Sequence, residues 1–331
     1  MPALTFPTLI RLATAQLTGP SRPSYRHLAI MVVATIALVQ VLHFRVEGAD
    51  LAIVAAVSSF LIVLSILMRR VGWTRMATAI EAATLVMAAS LTTGCLSVLF
   101  ATIALPYQDL LLARIDRVVW PFFTWREMFD LLRRHDDLVV VMSRVYSTIL
   151  WQPFALVVIL ACIGREIACW RFVHAWFVAL VACLVVFPFI TALTPYIYYD
   201  IARADIPALD IDTGWKAATL LEGIRSGAVR SLLPPHMTGL ISVPSFHAAA
   251  AVLLFWGYRP IPFLNLPFML LNVTMVATAP LIGAHYFIDI AAGIGVALLS
   301  IRIATAHAFP TQTGVGANSP GTSVARVLRI G

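Results

Sequence analysis

The sequence predicts an all-α, polytopic transmembrane bundle of about six to eight spans, with amphipathic helices lying at the membrane interface. Composition is the first observation: 60% of the 331 residues are hydrophobic and 12% are charged, with a mean hydropathy of +0.90. Soluble domains average roughly 45–50% apolar and about 25% charged residues. The second is that the apolar residues are gathered into runs long enough to cross a hydrocarbon core. The third is that the charges fall into short loops and two long polar segments. The formal net charge is +7 and the pI about 9.6. Lys216 is the one lysine among the basic residues. Positive charge in short loops sets topology and meets anionic headgroups. Anionic lipid is therefore the expected contact, and nucleic acid is not.

Residues 1–27 read as a cytoplasmic lead in which Pro20, Ser21 and Pro23 interrupt any helix. The first apolar run lacks a small-residue cleavage site and reads as an uncleaved span. Residues 28–106 hold three expected spans, at 28–44, 51–68 and 77–105, with Arg69, Arg70 and Arg75 in a basic loop. Glu81, near the start of the third, is expected to snorkel to the interface. Residues 107–144 alternate charged and apolar faces and carry Trp120 and Trp125. They predict helices lying in the interface, apolar face down. Residues 145–305 form the remaining core, with spans at 145–163, 173–193, 244–258, 261–282 and 285–304. The tail, 306–331, is rich in Gly, Ser, Thr and Pro and is expected to be disordered. The four cysteines form no Cys-x-x-Cys pair and read as small buried hydrophobes.

Eight spans put both termini on one side. The short basic loops fall on that same side, so the positive-inside rule makes it cytoplasmic. Two histidines and one aspartate then share the extracytoplasmic side, because a single hairpin of spans separates them. His247 follows Pro244-Ser245-Phe246, while His285 and Asp289 stand four apart, a spacing that places both on one face of a helix. Ionisable groups at membrane depth are costly and point to function. Pro244 suits a first helical position and Ser242 a cap. The amides of Ser245, Phe246 and His247 would then open an anion seat at a helix N-terminus. His247 fits a proton donor, and His285 a nucleophile whose tautomer Asp289 fixes.

These motifs resemble the type 2 phosphatidic acid phosphatase superfamily, with its Pro-Ser-x-His and later His-x-x-x-Asp. Ala248 after the first motif, and His285-Tyr286-Phe287-Ile288-Asp289 as the second, are most similar to the branch of inositol phosphorylceramide synthases. The resemblance spans roughly residues 105–305. It implies a phosphohistidine on His285, His247 as acid, Asp289 as orienter, a membrane lipid substrate, no cofactor, and the cytoplasmic membrane of a bacterium. The chain departs from the superfamily in having Phe246 before the first histidine and Thr278-Ala279 where Ser-Arg is usual, and in lacking Lys-x6-Arg-Pro. Ser245 and Phe246, with Arg225, Arg230 and Lys216 from the preceding loop, are the phosphate-binding candidates. Water or an alcohol headgroup as acceptor would make the protein a lipid phosphatase or a headgroup transferase. Two other readings compete: a 2-His-1-carboxylate metal site, and a transporter using the trio as a proton relay.

Overall fold

The computed structural model describes residues 19–46, 49–209, 213–233 and 240–306. The expected disordered tail beyond Ala306, most of the expected lead, and Asp210, Asp212 and His236 lie outside the described residues. Six of the described helices are long and apolar enough to cross a membrane: α1 (Arg22–Val41), α2 (Ala49–Arg70), α3 (Thr74–Ala101), α8 (Glu166–Val186), α12 (Asn265–Ile282) and α13 (Phe287–Ala306). A seventh span is made if α6 (Asp136–Ser147) and α7 (Gln152–Cys162), bent by 50° at their junction, are taken as one. The segment expected to be a further span, α11 (Phe246–Tyr258), is apolar but only 13 residues long.

Local chemistry explains several helix starts. Pro23 sits in the first turn of α1, where a missing N–H costs nothing, so this helix begins earlier than the prolines suggested. Among the interfacial helices α4 (Asp109–Val119), α5 (Trp125–Leu132) and α6, only α5 has a complete capping box. Thr124 accepts from the Glu127 amide, and the Glu127 carboxylate accepts from the Thr124 amide. Buried polar side chains tie the bend between α6 and α7 to α11 and α12. The Tyr258 hydroxyl donates to the Gln152 carbonyl, while the Gln152 side chain bonds Thr148 and Asn272.

The α11 helix packs against α7, α8, α12 and α13. Its first turns are Ala248, Ala249, Ala250 and Ala251, all fully buried, and small residues let helices in lipid approach closely. Gly293 of α13 is needed there, since a Cβ on it would lie 2.3 Å from the Ser245 carbonyl oxygen. Two short connections, α9 (Pro195–Tyr198) and α10 (Thr213–Ser226), cover one end of the bundle. A two-residue parallel pair, β1 (Arg45–Val46) with β2 (Ser231–Leu232), ties the α1–α2 turn to the segment after α10.

Polar groups collect at both ends of the bundle. At the end where α3 and α8 begin, Glu81 is fully buried rather than snorkelling. Arg69 Nη2 lies 2.7 Å from Glu81 Oε2, the Tyr25 hydroxyl donates to Oε1, and Arg69 also lies 3.6 Å from Glu166. Close partners on two other helices make the buried position cheaper than reaching for water. Replacing Arg69 with Ala strands that carboxylate, a loss of about 3–5 kcal/mol for a buried pair broken on one side. Thermal unfolding in detergent should show a marked fall for Arg69→Ala and a smaller one for the Arg69→Met/Glu81→Leu pair.

Candidate active site

At the opposite end of the bundle the two His motifs meet. The first helical residue of α11 is Phe246, so Pro244 lies outside the helix and Ser245, not Ser242, is the N-cap. The Ser245 hydroxyl accepts from the Ala248 amide, and Ser242 accepts from the Ala192 amide instead. The Ser245 amide donates to the Asp289 carbonyl oxygen at 3.1 Å, a direct bond between the two motifs. The amides of Phe246 and His247 have no acceptor among the described residues. Unpaired amides at a helix N-terminus are an anion site in waiting. His247 keeps some accessible surface, and its ring stacks on Tyr146, centroids 3.9 Å apart and planes 11° apart.

The second motif is not built as the four-residue spacing suggested. The α13 helix starts at Phe287, so His285 sits in the loop before it. Ala284 turns the chain with φ of +54°, a left-handed conformation uncommon for a residue with a Cβ. That turn, rather than a shared helix face, brings His285 Nδ1 to 3.5 Å from Asp289 Oδ2. The contact is an ion-pair distance rather than a formed hydrogen bond, and Nδ1 has no other partner. Such bonds are often long before substrate binds. Asp289, only 1% exposed, also accepts the Tyr286 amide at 2.9 Å. In the first turn of α13 this is the carboxylate half of a capping box.

The interfacial segment holds this loop from outside. Asp116 of α4 accepts the amides of Phe287 and Ile288, both at 2.8 Å. Asp109 accepts the Tyr286 hydroxyl at 2.9 Å and the Leu193 amide at 3.0 Å. The Trp125 indole N–H of α5 is shared by the Pro280 and His285 carbonyls, and the Tyr196 hydroxyl donates to the Leu281 carbonyl. The α4 helix divides its surface between the bundle and the outside. Its buried stripe is Asp109, Leu112, Ala113 and Asp116, while Leu110, Leu111 and Val118 face outward.

A family model described as the PAP2 superfamily matches residues 110–303. The chain belongs to the PAP2 superfamily. No match emerges among curated proteins or among solved structures. The superfamily supports an enzyme of phosphatase or phosphotransferase type, and together with the long apolar helices it makes this a multi-pass membrane protein.

The match covers the two His motifs and, except for Asp109, the α4–α6 segment that braces them. The phosphate-binding candidates fare differently. Phe246 lends its amide at the start of α11, and Ser245 is committed to its cap. Arg225 lies 4.3 Å over the Tyr107 ring and donates to the Leu105 carbonyl. Arg230 lies over Phe44, and Lys216 is exposed on α10. None of these three cations contacts the trio among the described interactions. No group of three or more His, Cys, Asp or Glu is disposed to hold a metal ion among the described residues. The sequence does not mark Asp109, Asp116, Trp125 and Tyr146 as site residues. One signal was available for two of them: Asp109 and Asp116 are seven apart, two turns on one helical face.

Burial pushes the carboxyls of Asp109 and Asp116 above the ordinary aspartate range, and the amides they accept oppose the shift. Asp289 and Tyr199 are titratable groups that feel the charge of Asp116. As pH falls, Asp116 takes up a proton earlier than an ordinary aspartate and loses acceptor capacity for the two amides. Because its folded-state value is the higher one, this proton stabilises the folded relative to the unfolded chain. Activity is therefore expected to fall on the acid side while the protein stays folded. Asp116→Asn should lower turnover roughly 10-fold or more across the pH range, on the scale of 1–3 kcal/mol for an unpaired buried group. Parallel pH–rate and pH–melting curves in detergent check both statements.

Proposed function

We propose that the protein transfers the phosphoryl group of a membrane lipid phosphate or phosphodiester through a phosphohistidine on His285. The observation that carries this reading is the Ser245–Asp289 backbone bond, which sets the unpaired amides of Phe246 and His247 beside the His285 loop. Those amides bind phosphate oxygens. Asp289 keeps a proton on His285 Nδ1, so the lone pair of Nε2 attacks phosphorus. The bond from phosphorus to the leaving oxygen breaks, and protonated His247 gives that oxygen its proton. In the second half, water or an alcohol loses a proton to His247 and attacks phosphorus, which returns to the acceptor as the bond to Nε2 breaks.

Position in the membrane supports a lipid substrate. An apolar helix of 13 residues spans about 20 Å, short of the roughly 30 Å of a hydrocarbon core. With its Arg259 end at the basic face, its N-terminus lies roughly 10 Å below the opposite surface, within reach of a headgroup phosphate. The basic turns around Arg69, Arg75 and Arg165 stand at the far end of α3 and α8 from the trio, which favours an extracytoplasmic site. The Tyr-Phe pair within the second motif and Ala248 after the first favour the inositol phosphorylceramide synthase-like branch, and with it an alcohol headgroup as acceptor.

Purified protein in mixed micelles with labelled phosphatidic acid and phosphatidylinositol, each with and without diacylglycerol or ceramide, tests the reading. Turnover is expected in wild type and should fall by at least about 10³-fold in His285→Ala, the scale for loss of a nucleophile. Release of free phosphate identifies a hydrolase, and label in a new lipid identifies a transferase. An active His285→Ala variant would sink the phosphohistidine.

A further inference from the structure

We infer that Tyr146 is a phosphate-contacting residue, its hydroxyl donating to a non-bridging oxygen of the phosphoryl group as His285 attacks. The inference rests on the phosphoryl-transfer reading and assigns part of the clamp that Arg225, Arg230 and Lys216 do not visibly supply.

Three features of the side chain converge. Its ring is 5% exposed and lies flat on His247, so α6 fixes the direction of the phenol. Its hydroxyl has no hydrogen-bond partner among the described residues and keeps some accessible surface, open to a ligand. A buried tyrosine hydroxyl is ordinarily partnered, and the other buried tyrosines follow that rule: Tyr196, Tyr258 and Tyr286 each donate to an oxygen of the protein. The third feature is where the hydroxyl points. A Cβ placed on Gly283 would lie 2.6 Å from Tyr146 Oη and 2.8 Å from His285 Cδ2. In imidazole Cδ2 is bonded to Nε2, the nitrogen left for attack once Nδ1 faces Asp289. The unpaired hydroxyl thus stands on the reactive edge of His285, while its own ring supports His247. The absence of a side chain at Gly283 keeps the space between them open.

A phosphoryl group seated on the Phe246 and His247 amides and approached by His285 Nε2 presents its equatorial oxygens to this gap. Charge on those oxygens is what a preorganised donor stabilises. A neutral phenol can serve because the low dielectric of a buried site strengthens each bond. No proton changes hands and no bond to phosphorus involves Tyr146.

Tyr146→Phe removes the hydroxyl and keeps the ring on His247. The assay is phosphatidic acid turnover in mixed micelles, together with orthovanadate binding followed by thermal stabilisation, for wild type, Tyr146→Phe and His285→Ala. Loss of one such donor is expected to lower kcat about 10²-fold, with KM nearly unchanged and vanadate stabilisation weakened in step. Wild-type thermal stability without vanadate in Tyr146→Phe shows that packing is intact. Unchanged kcat and vanadate binding in Tyr146→Phe, with His285→Ala inactive, overturns the role of Tyr146 alone. A raised KM with unchanged kcat also overturns it, since the hydroxyl would then serve ground-state binding only. Wild type that neither turns over lipid phosphate nor binds vanadate overturns the phosphoryl-transfer reading, and this inference with it.

Discussion

The arrangement of the site depends on two amide hydrogen bonds. Phe287 and Ile288 open the helix that carries Asp289, and their N–H groups have no acceptor within that helix. Asp116, on a helix 171 residues earlier in the chain, accepts both. Charge-assisted bonds of this kind are roughly twice as strong as neutral ones, and a negative charge at a helix N-terminus is favourable in itself. They offset the cost of burying a carboxylate. They also occupy the start of α13 with a protein anion. The unpaired helix start beside the histidines is then the one on α11, which is where a phosphate has somewhere to go.

Around that bond the interfacial segment acts as a brace rather than a raft. Asp109, Asp116 and Trp125 all reach into the loop between α12 and α13, and Tyr146 reaches over His247. A loop that carries a strained residue, Ala284 in the left-handed region, keeps that shape only when its surroundings overdetermine it. Here α4 and α5 supply that restraint on the loop. The far end of the bundle is organised differently. Glu81, Arg69, Tyr25 and Glu166 join α1, α2, α3 and α8 by ion pairing and hydrogen bonding, with no link to the histidines among the described residues.

Among the described residues Arg225, Arg230 and Lys216 make no contact with the trio, which changes how phosphate would be held. Helix-start amides and a phenol are fixed, uncharged donors. They bind less strongly at a distance than cations do, but they lose no rotamer freedom when phosphate arrives. A recessed site is where such donors count for most, because water is scarce there and the effective dielectric is low.

The sequence by itself determined the membrane class, most of the helices and the pairing of Pro-Ser-x-His with His-x-x-x-Asp, because hydropathy and motif spacing are local properties of a chain. It marked Asp109 and Asp116 only as charges on an amphipathic helix, with nothing to say that both turn inward to the loop before α13. It placed His285 on a helix that in fact begins two residues later. It put Glu81 at the interface although Arg69 and Tyr25 wait for it on other helices. Each difference has the same cause. A polar group in an apolar bundle goes to whichever partner the packing brings within reach, and a partner on a distant segment leaves no periodic trace. Spacing could name the histidines, but only the packed helices decided what holds them and which helix start is left open.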